Sequence, residues 1–385
     1  MECAFLISFV CYYFYEFLGT TMVNRGFFVL PYRAASLVLI ALAGLQVLRA
    51  SMLDRRHFYK VLLILGITGA YMVVRSNKYI FIIGAVLVAS SQYSFKWVCG
   101  TSLIIGIGIL GVVYFLSSQG LIPYLVFDSR GKYLAHALGV NYSTDCAAHW
   151  FYLFAGYLVL RDNRIRFWEY PLYLLGIYLL FHITRGRISA ACMIILLIMS
   201  GCLQLQETLN DKGKRFFMNF SKCLTLVTAV SALISVGMTW VFDSSNEWMS
   251  ALDLALERRI SMGQKALLEY GISLFGHEIP QIGMGRSFSQ PAGYFFLDNS
   301  YIEVLLERGV LIFLLICGMM TYIAYKAYKR RNYIVLSVVA VIALHCMIEH
   351  HLFDLSYNFF LLLALARWDM DDIPDGKVVV NDENQ

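Results

Sequence analysis

The chain has 385 residues, 59% of them hydrophobic and 15% charged, with a mean hydropathy of +0.64. A soluble domain carries about 25% charged residues, so the composition excludes a soluble globular protein and calls for a polytopic membrane protein. The net charge of +5 sits mostly in short loops between apolar runs, where basic residues set orientation in a bilayer rather than bind nucleic acid.

Twelve apolar segments are expected to span the membrane, near 3–22, 34–48, 61–74, 79–95, 97–117, 144–160, 171–184, 188–203, 220–242, 300–325, 333–349 and 352–367. The fold class is therefore all-α, one polytopic bundle over 1–385 without a large soluble domain. The first segment begins near Cys3 with no basic residue ahead of it, and reads as a retained span rather than a cleaved signal peptide. Nine cysteines, an odd number, are scattered mostly through apolar runs, so no disulfide or zinc framework follows. With six prolines in the chain, discontinuous helices of the transporter type are not expected.

Basic residues alternate between loops. One set of loops holds Arg49, Arg55, Arg56, Lys60, Lys96, Arg161, Arg164, Arg166, Lys212, Lys214, Arg215, Lys222, Lys326, Lys329, Arg330 and Arg331. The opposite set holds half as many: Arg25, Arg33, Arg75, Lys78, Arg130, Lys132, Arg185 and Arg187. Positive charge favours the inner side, which puts both termini in the cytoplasm and every unusual polar cluster outside. The acidic tail 368–385, with Asp369-Met370-Asp371-Asp372, has no folded domain around it and reads as a solvated cytoplasmic segment.

Four exterior clusters follow in chain order. Asp145 and His149 open one span beside the 118–143 loop, and Thr184-Arg185-Gly186-Arg187 forms a tight turn between two spans. Arginines near hydrocarbon tend to face a wet cavity or an anion. The segment 243–298 is the only long hydrophilic stretch. Trp248, Leu252, Leu256, Ile260, Leu267 and Leu274 recur in it at helical spacing, predicting one amphipathic helix on the membrane surface. Gly283-Met284-Gly285-Arg286-Ser287 then offers flexible backbone beside an arginine. Asp298 or Asn299 is a natural N-cap for the next span, and Glu349-His350-His351 closes a later one. His345 and Glu349, four apart, with His350 and Asp354, are an alternative metal set, but no H-E-x-x-H is present and no metal is expected.

The string Leu297-Asp298-Asn299-Ser300-Tyr301-Ile302, followed by Glu307-Arg308-Gly309-Val310 and an apolar span, resembles the signature of bacterial O-antigen and capsule polysaccharide polymerases of the Wzy type. These belong to the O-antigen polymerase/ligase superfamily of GT-C-like lipid-linked glycosyltransferases. Leu256-Glu257-Arg258-Arg259-Ile260 and Tyr270-Gly271-Ile272-Ser273-Leu274-Phe275-Gly276 look like the corresponding external loop, and the Arg185/Arg187 turn is similar to the ligases' arginine-bearing turn. Ligases carry a histidine where this chain has Asp298-Asn299, which favours a polymerase.

The resemblance implies a cytoplasmic-membrane enzyme that joins polyprenyl-diphosphate-linked oligosaccharide repeat units at the outer face, without a cofactor. Chain-length regulators, flippase proteins and membrane lipids would be its partners, and nucleic acid would not. A polysaccharide ligase, or a flippase for lipid-linked oligosaccharides, are the alternatives. A departing lipid diphosphate needs its charge stabilised, for which guanidinium groups are suited. Arg185, Arg187, Arg286 and Arg259 are the candidates. Asp298, Glu349 and His350 are candidates for the base that activates the acceptor hydroxyl, with His351 beside them. Asp145, His149, Asn299 and Tyr301 are expected around the sugar cavity.

Overall fold

A computed structural model describes residues 2–129, 133–206, 211–287 and 291–368. Arg130, Lys132 and the Asp369-Met370-Asp371-Asp372 run lie outside the described residues. The helices are α1 (Glu2–Gly19), α2 (Val29–Leu53), α3 (Arg55–Arg75), α4 (Lys78–Ala89), α5 (Phe95–Ser118), α6 (Ser143–Leu160), α7 (Glu169–Thr184), α8 (Arg187–Leu205) and α9 (Asp211–Val241). After them come α10 (Glu247–Ala255), α11 (Arg259–Tyr270), α12 (Ser300–Glu303), a π turn (Val304–Arg308), α13 (Gly309–Lys329) and α14 (Tyr333–His345). A two-stranded antiparallel hairpin, β1 (Val126–Ser129) and β2 (Tyr133–His136), pairs Val126 with His136 and lies between α5 and α6 in sequence.

Short polar residues start the helices where the sequence breaks. Asp54 accepts from Arg56 N, Asn77 from Tyr79 N, Ser94 from Lys96 N and Asn332 from Val335 N, each satisfying a donor that the first turn leaves free. Seven helical stretches among the described residues are long and apolar enough to cross a membrane, and two shorter apolar helices accompany them. Leu37, Ile104, Val112, Leu175, Ile198, Leu233 and Leu314 are each more than half exposed on the outside of the bundle. An apolar surface of that extent belongs in hydrocarbon. Inside, the aromatic stripe Phe5, Phe9, Tyr13 and Phe17 of α1, at fourfold spacing, is buried within the main core.

Three expectations change. The 352–367 segment is not an α-helix: only a short 3-10 turn, Phe359–Ala364, is regular, and Phe359, Phe360, Leu361 and Leu362 are fully buried. It still crosses from one end of the bundle to the other. Leu352 N donates to Ser300 Oγ at 3.1 Å, whereas the Trp368 ring lies 4.7 Å under Lys326 Nζ and 5.7 Å from the Arg330 guanidinium. Non-helical backbone is tolerated at such depth only when protein surrounds it.

The single amphipathic helix expected over 248–274 is two, α10 and α11, because Glu257 and Arg258 take left-handed backbone (φ +59° and +63°) between them. Finally, the span after Asn299 is discontinuous despite the shortage of prolines. The π turn and Gly309 (φ +84°) break it, and the loop before it fills the break: His277 N donates to Leu306 O at 2.8 Å, and Val310 N to Ser273 O at 3.0 Å.

Candidate functional site

One end of the bundle gathers the ends of α1, α6 and α8, the α10–α11 pair and the turn after α14. Arg259 is the first residue of α11, whose first amides are capped from a distance: Asp253 Oδ1 accepts from Ile260 N at 2.9 Å and Ser261 N at 3.0 Å. That fixes the guanidinium, which donates from Nε to Asp298 Oδ2 at 3.0 Å and lies 3.6 Å from Glu349 Oε1. Its side chain is 11% exposed and that of Glu349 only 4%.

Ser300 holds the opposite wall. Its N donates to Cys346 O at 3.1 Å and its Oγ to Glu349 O, which clamps the 346–352 turn against the start of α12. His350 thereby faces Asp298, Nδ1 to Oδ1 at 3.8 Å, an ion-pair distance beyond a hydrogen bond. Burial opposes charge on His350, but the surrounding Asp298, Asp145 and Glu303 carboxylates outweigh it and push the imidazole up to about 10. Burial would likewise raise Asp298, but Arg259 and His350 hold it below the usual carboxylate range. Glu349, more deeply buried, is pushed up to about 7. Two carboxylates on one guanidinium are thus driven apart, Asp298 held low and Glu349 raised, which makes the cluster a candidate for acid–base work.

These groups open onto a cavity of about 230 Å³ whose charged lining is Asp145, Glu257, Arg259, Arg286, Asp298 and His350, with Tyr142, Tyr294 and Phe296 among the aromatics. Of the sequence candidates, the structure brings Asp145, Arg259, Arg286, Asp298 and His350 to this cavity, with Glu349 directly behind Arg259. Asn299, not Asp298, is the cap of α12: its Oδ1 accepts from Tyr301 N at 3.0 Å and Ile302 N at 3.3 Å. Tyr301 does not reach the cavity. It is 2% exposed and donates to Ala343 O at 3.0 Å inside the bundle, since its position in α12 turns it towards α14. His149 is also internal, stacked between Phe17 (4.0 Å) and Tyr357 (3.8 Å) and bonded to Thr20 Oγ1 at 2.7 Å.

The other arginines are already engaged. Arg286 donates to Asn141 Oδ1 (3.0 Å) and to the Gly19 and Thr21 carbonyls (3.0 and 3.2 Å), stapling the 283–287 loop to the end of α1. Arg187 pairs with Glu257 at the rim, and the Arg185 guanidinium lies 4.4 Å over the Tyr133 ring. Neither Arg185 nor Arg187 lines the cavity. Sequence reasoning did not single out Tyr142, Tyr294 or Phe296; lone aromatics in irregular segments carry no spacing that would reveal them. Among the described residues, two sets of three groups come close enough to hold a cation, Asp145–His350–His351 and Asp298–Glu349–His350. In the second, the Arg259 guanidinium already occupies the space between the carboxylates.

A second cavity, of about 600 Å³, is apolar and lies between α5, α6, α7 and α8, lined among others by Leu103, Trp150, Phe154, Leu172, Ile177 and Ile183. No family model, curated protein or solved structure matches the chain.

Proposed function

We propose that the chain is a membrane glycosyltransferase of the polysaccharide-polymerase type, acting on a saccharide carried by polyprenyl diphosphate. The observation that carries this reading is the buried Arg259, gripped between Asp298 and Glu349 at the floor of a cavity that His350 and aromatic rings complete. It joins a fixed cation for a leaving diphosphate to an ionised carboxylate for an attacking hydroxyl. The apolar cavity between α5, α6, α7 and α8 suits an isoprenoid tail, and in this reading the polar cavity lies at the outer face of a bacterial cytoplasmic membrane, the side that the smaller share of loop lysines and arginines favours.

In the proposed step the acceptor hydroxyl oxygen bonds to the anomeric carbon of the donor as the bond from that carbon to the diphosphate oxygen breaks. The hydroxyl proton passes to Asp298. The anomeric carbon takes on oxocarbenium character as the diphosphate departs. The lipid diphosphate departs with the bonding electron pair, and Arg259 with protonated His350 stabilises the charge that develops on it. Arg286 contributes positive potential while holding the loop in place.

The test is turnover by the purified protein in lipid nanodiscs, supplied with a polyprenyl-diphosphate-linked repeat unit. A ladder of lengthening glycan is expected, with one free polyprenyl diphosphate per bond formed. Arg259→Lys keeps the charge but loses the planar fork, and should lower the rate roughly a hundredfold. Movement of the lipid across the bilayer with no diphosphate released would make the protein a transporter instead. Cells lacking the gene should accumulate single lipid-linked repeat units; long lipid-linked polymer in them would select a ligase.

A further inference from the structure

A third cavity, of about 580 Å³, opens at the same end of the bundle, between the α3–α4 turn and the π turn of the broken helix. Its polar lining comes from Arg75, Lys78, Glu278, Glu307 and Arg308, with Ser76, Asn77 and His277 beside them. Both signs of charge line it. Arg308 lies 3.4 Å from Glu307, and Tyr71 donates to the Glu307 carbonyl at 3.5 Å. Three basic groups stand here with two carboxylates and the polar Ser76 and Asn77. A polyhydroxylated ligand needs donors and acceptors in turn, which is what these side chains supply.

We infer that this cavity is the acceptor-saccharide subsite, which rests on the polymerase reading above. Joining two saccharides requires room for both, and the Arg259 cavity, at about 230 Å³, is smaller than the roughly 300–1,000 Å³ of ordinary ligand pockets. The two cavities lie at opposite ends of one continuous stretch, from Asp298 through α12 to Arg308, roughly 15 Å apart by helical rise. One side chain ties them together. Gln281 donates from Nε2 to the Glu307 carboxylate and accepts from Leu297 N at 2.7 Å, immediately before Asp298. The π turn shapes this third cavity: Glu307 and Arg308, its last residues, line the pocket where a continuous helix would carry on into the bundle, and such turns are frequent at functional sites.

The experiment uses the full-length protein with the lipid-linked repeat unit as donor and a soluble repeat-unit glycoside, without lipid or diphosphate, as acceptor. Arg75→Gln and Glu278→Gln change groups near the mouth that cap no helix. Each should raise the KM for the soluble acceptor about tenfold, the worth of one hydrogen bond to a charged group, and leave kcat and the donor KM unchanged. Saturation-transfer NMR gives a readout without turnover: the saccharide signal should fall in the Arg75→Gln/Glu278→Gln double variant and persist in Asp298→Asn. An unchanged acceptor KM, or a donor KM that rises with it, overturns the subsite while wild-type turnover keeps the polymerase reading. Absence of wild-type turnover removes that reading, and the NMR comparison still decides whether a saccharide binds here.

Discussion

Asp298 and Asn299 are neighbours with the same option, since either side chain can cap a helix. The structure gives the cap to Asn299 and leaves Asp298 paired with Arg259 and His350. Asn299→Ala should therefore lower stability by about 1 kcal/mol with transfer retained in the folded fraction. Asp298→Asn should keep a near-native melting temperature, because the amide still accepts from Arg259, and yet lose product formation, because it cannot take a proton. Polymer of normal length from Asp298→Asn would move the base to Glu349. The His350 pair adds a pH signature. Its imidazole is raised from 6.5 to about 10, so the pair's contribution to stability is complete below about 6.5 and is lost as pH rises towards 10. Thermal melts in detergent should fall across that window, and His350→Gln should flatten the fall. An unchanged slope in the variant would mean that His350 is neutral in the folded protein.

At the scale of elements, two of the segments that carry the family resemblance, 270–276 and 297–310, are stitched together by backbone. A Cβ at Gly276 would lie 2.1 Å from Glu307 O, and one at Gly309 2.3 Å from Gly276 N, in a residue already at φ +84°. Gly276→Ala and Gly309→Ala should each cost at least about 2 kcal/mol, whereas Gly318→Ala, in α13 with nothing within 4 Å, should be close to neutral. Equal melting temperatures for all three would show that the break does not depend on that contact. The sequence displayed these glycines but not their meeting, because a contact between irregular segments far apart in the chain leaves no periodicity. The single amphipathic helix failed for a related reason: its apolar spacing continues through Leu256, and only the left-handed backbone of Glu257 and Arg258, which no pattern of side chains reports, divides it. Arg259 gains its place from that division, since it opens the second helix rather than riding on the face of one.

For the whole molecule, hydropathy made the membrane-embedded bundle legible, and alternating basic loops made its two ends legible. The regularity of the last crossing was not, because an apolar run reads the same whether lipid or protein surrounds it. The ends themselves agree with the loop reading: Arg187, Glu257 and Asp298 gather at one, while Arg161, Arg330 and Trp368 mark the other. The loop charges assign which end faces outward in this reading, and the polymerase proposal depends on that assignment, since it has repeat units joined at the outer face. Single cysteines decide the matter once the exposed Cys3, Cys202 and Cys223 are replaced. Arg187 and Trp248 stand at the cavity end, with a half-exposed Arg187 side chain and Trp248 64% exposed. Arg164, 84% exposed, stands at the other end with Lys329 at the close of α13. Cysteines at Arg187 and Trp248 should react with an impermeant maleimide in intact cells, and those at Arg164 and Lys329 only after permeabilisation. The basic set outnumbers the opposite set two to one, and because such an excess governs insertion through the short loops, the arrangement should survive neutralisation of any one arginine. The reverse labelling pattern would place the Arg259 cavity in the cytoplasm, where it would meet nucleotide-activated sugars instead of assembled repeat units, and the polymerase reading would fall with it.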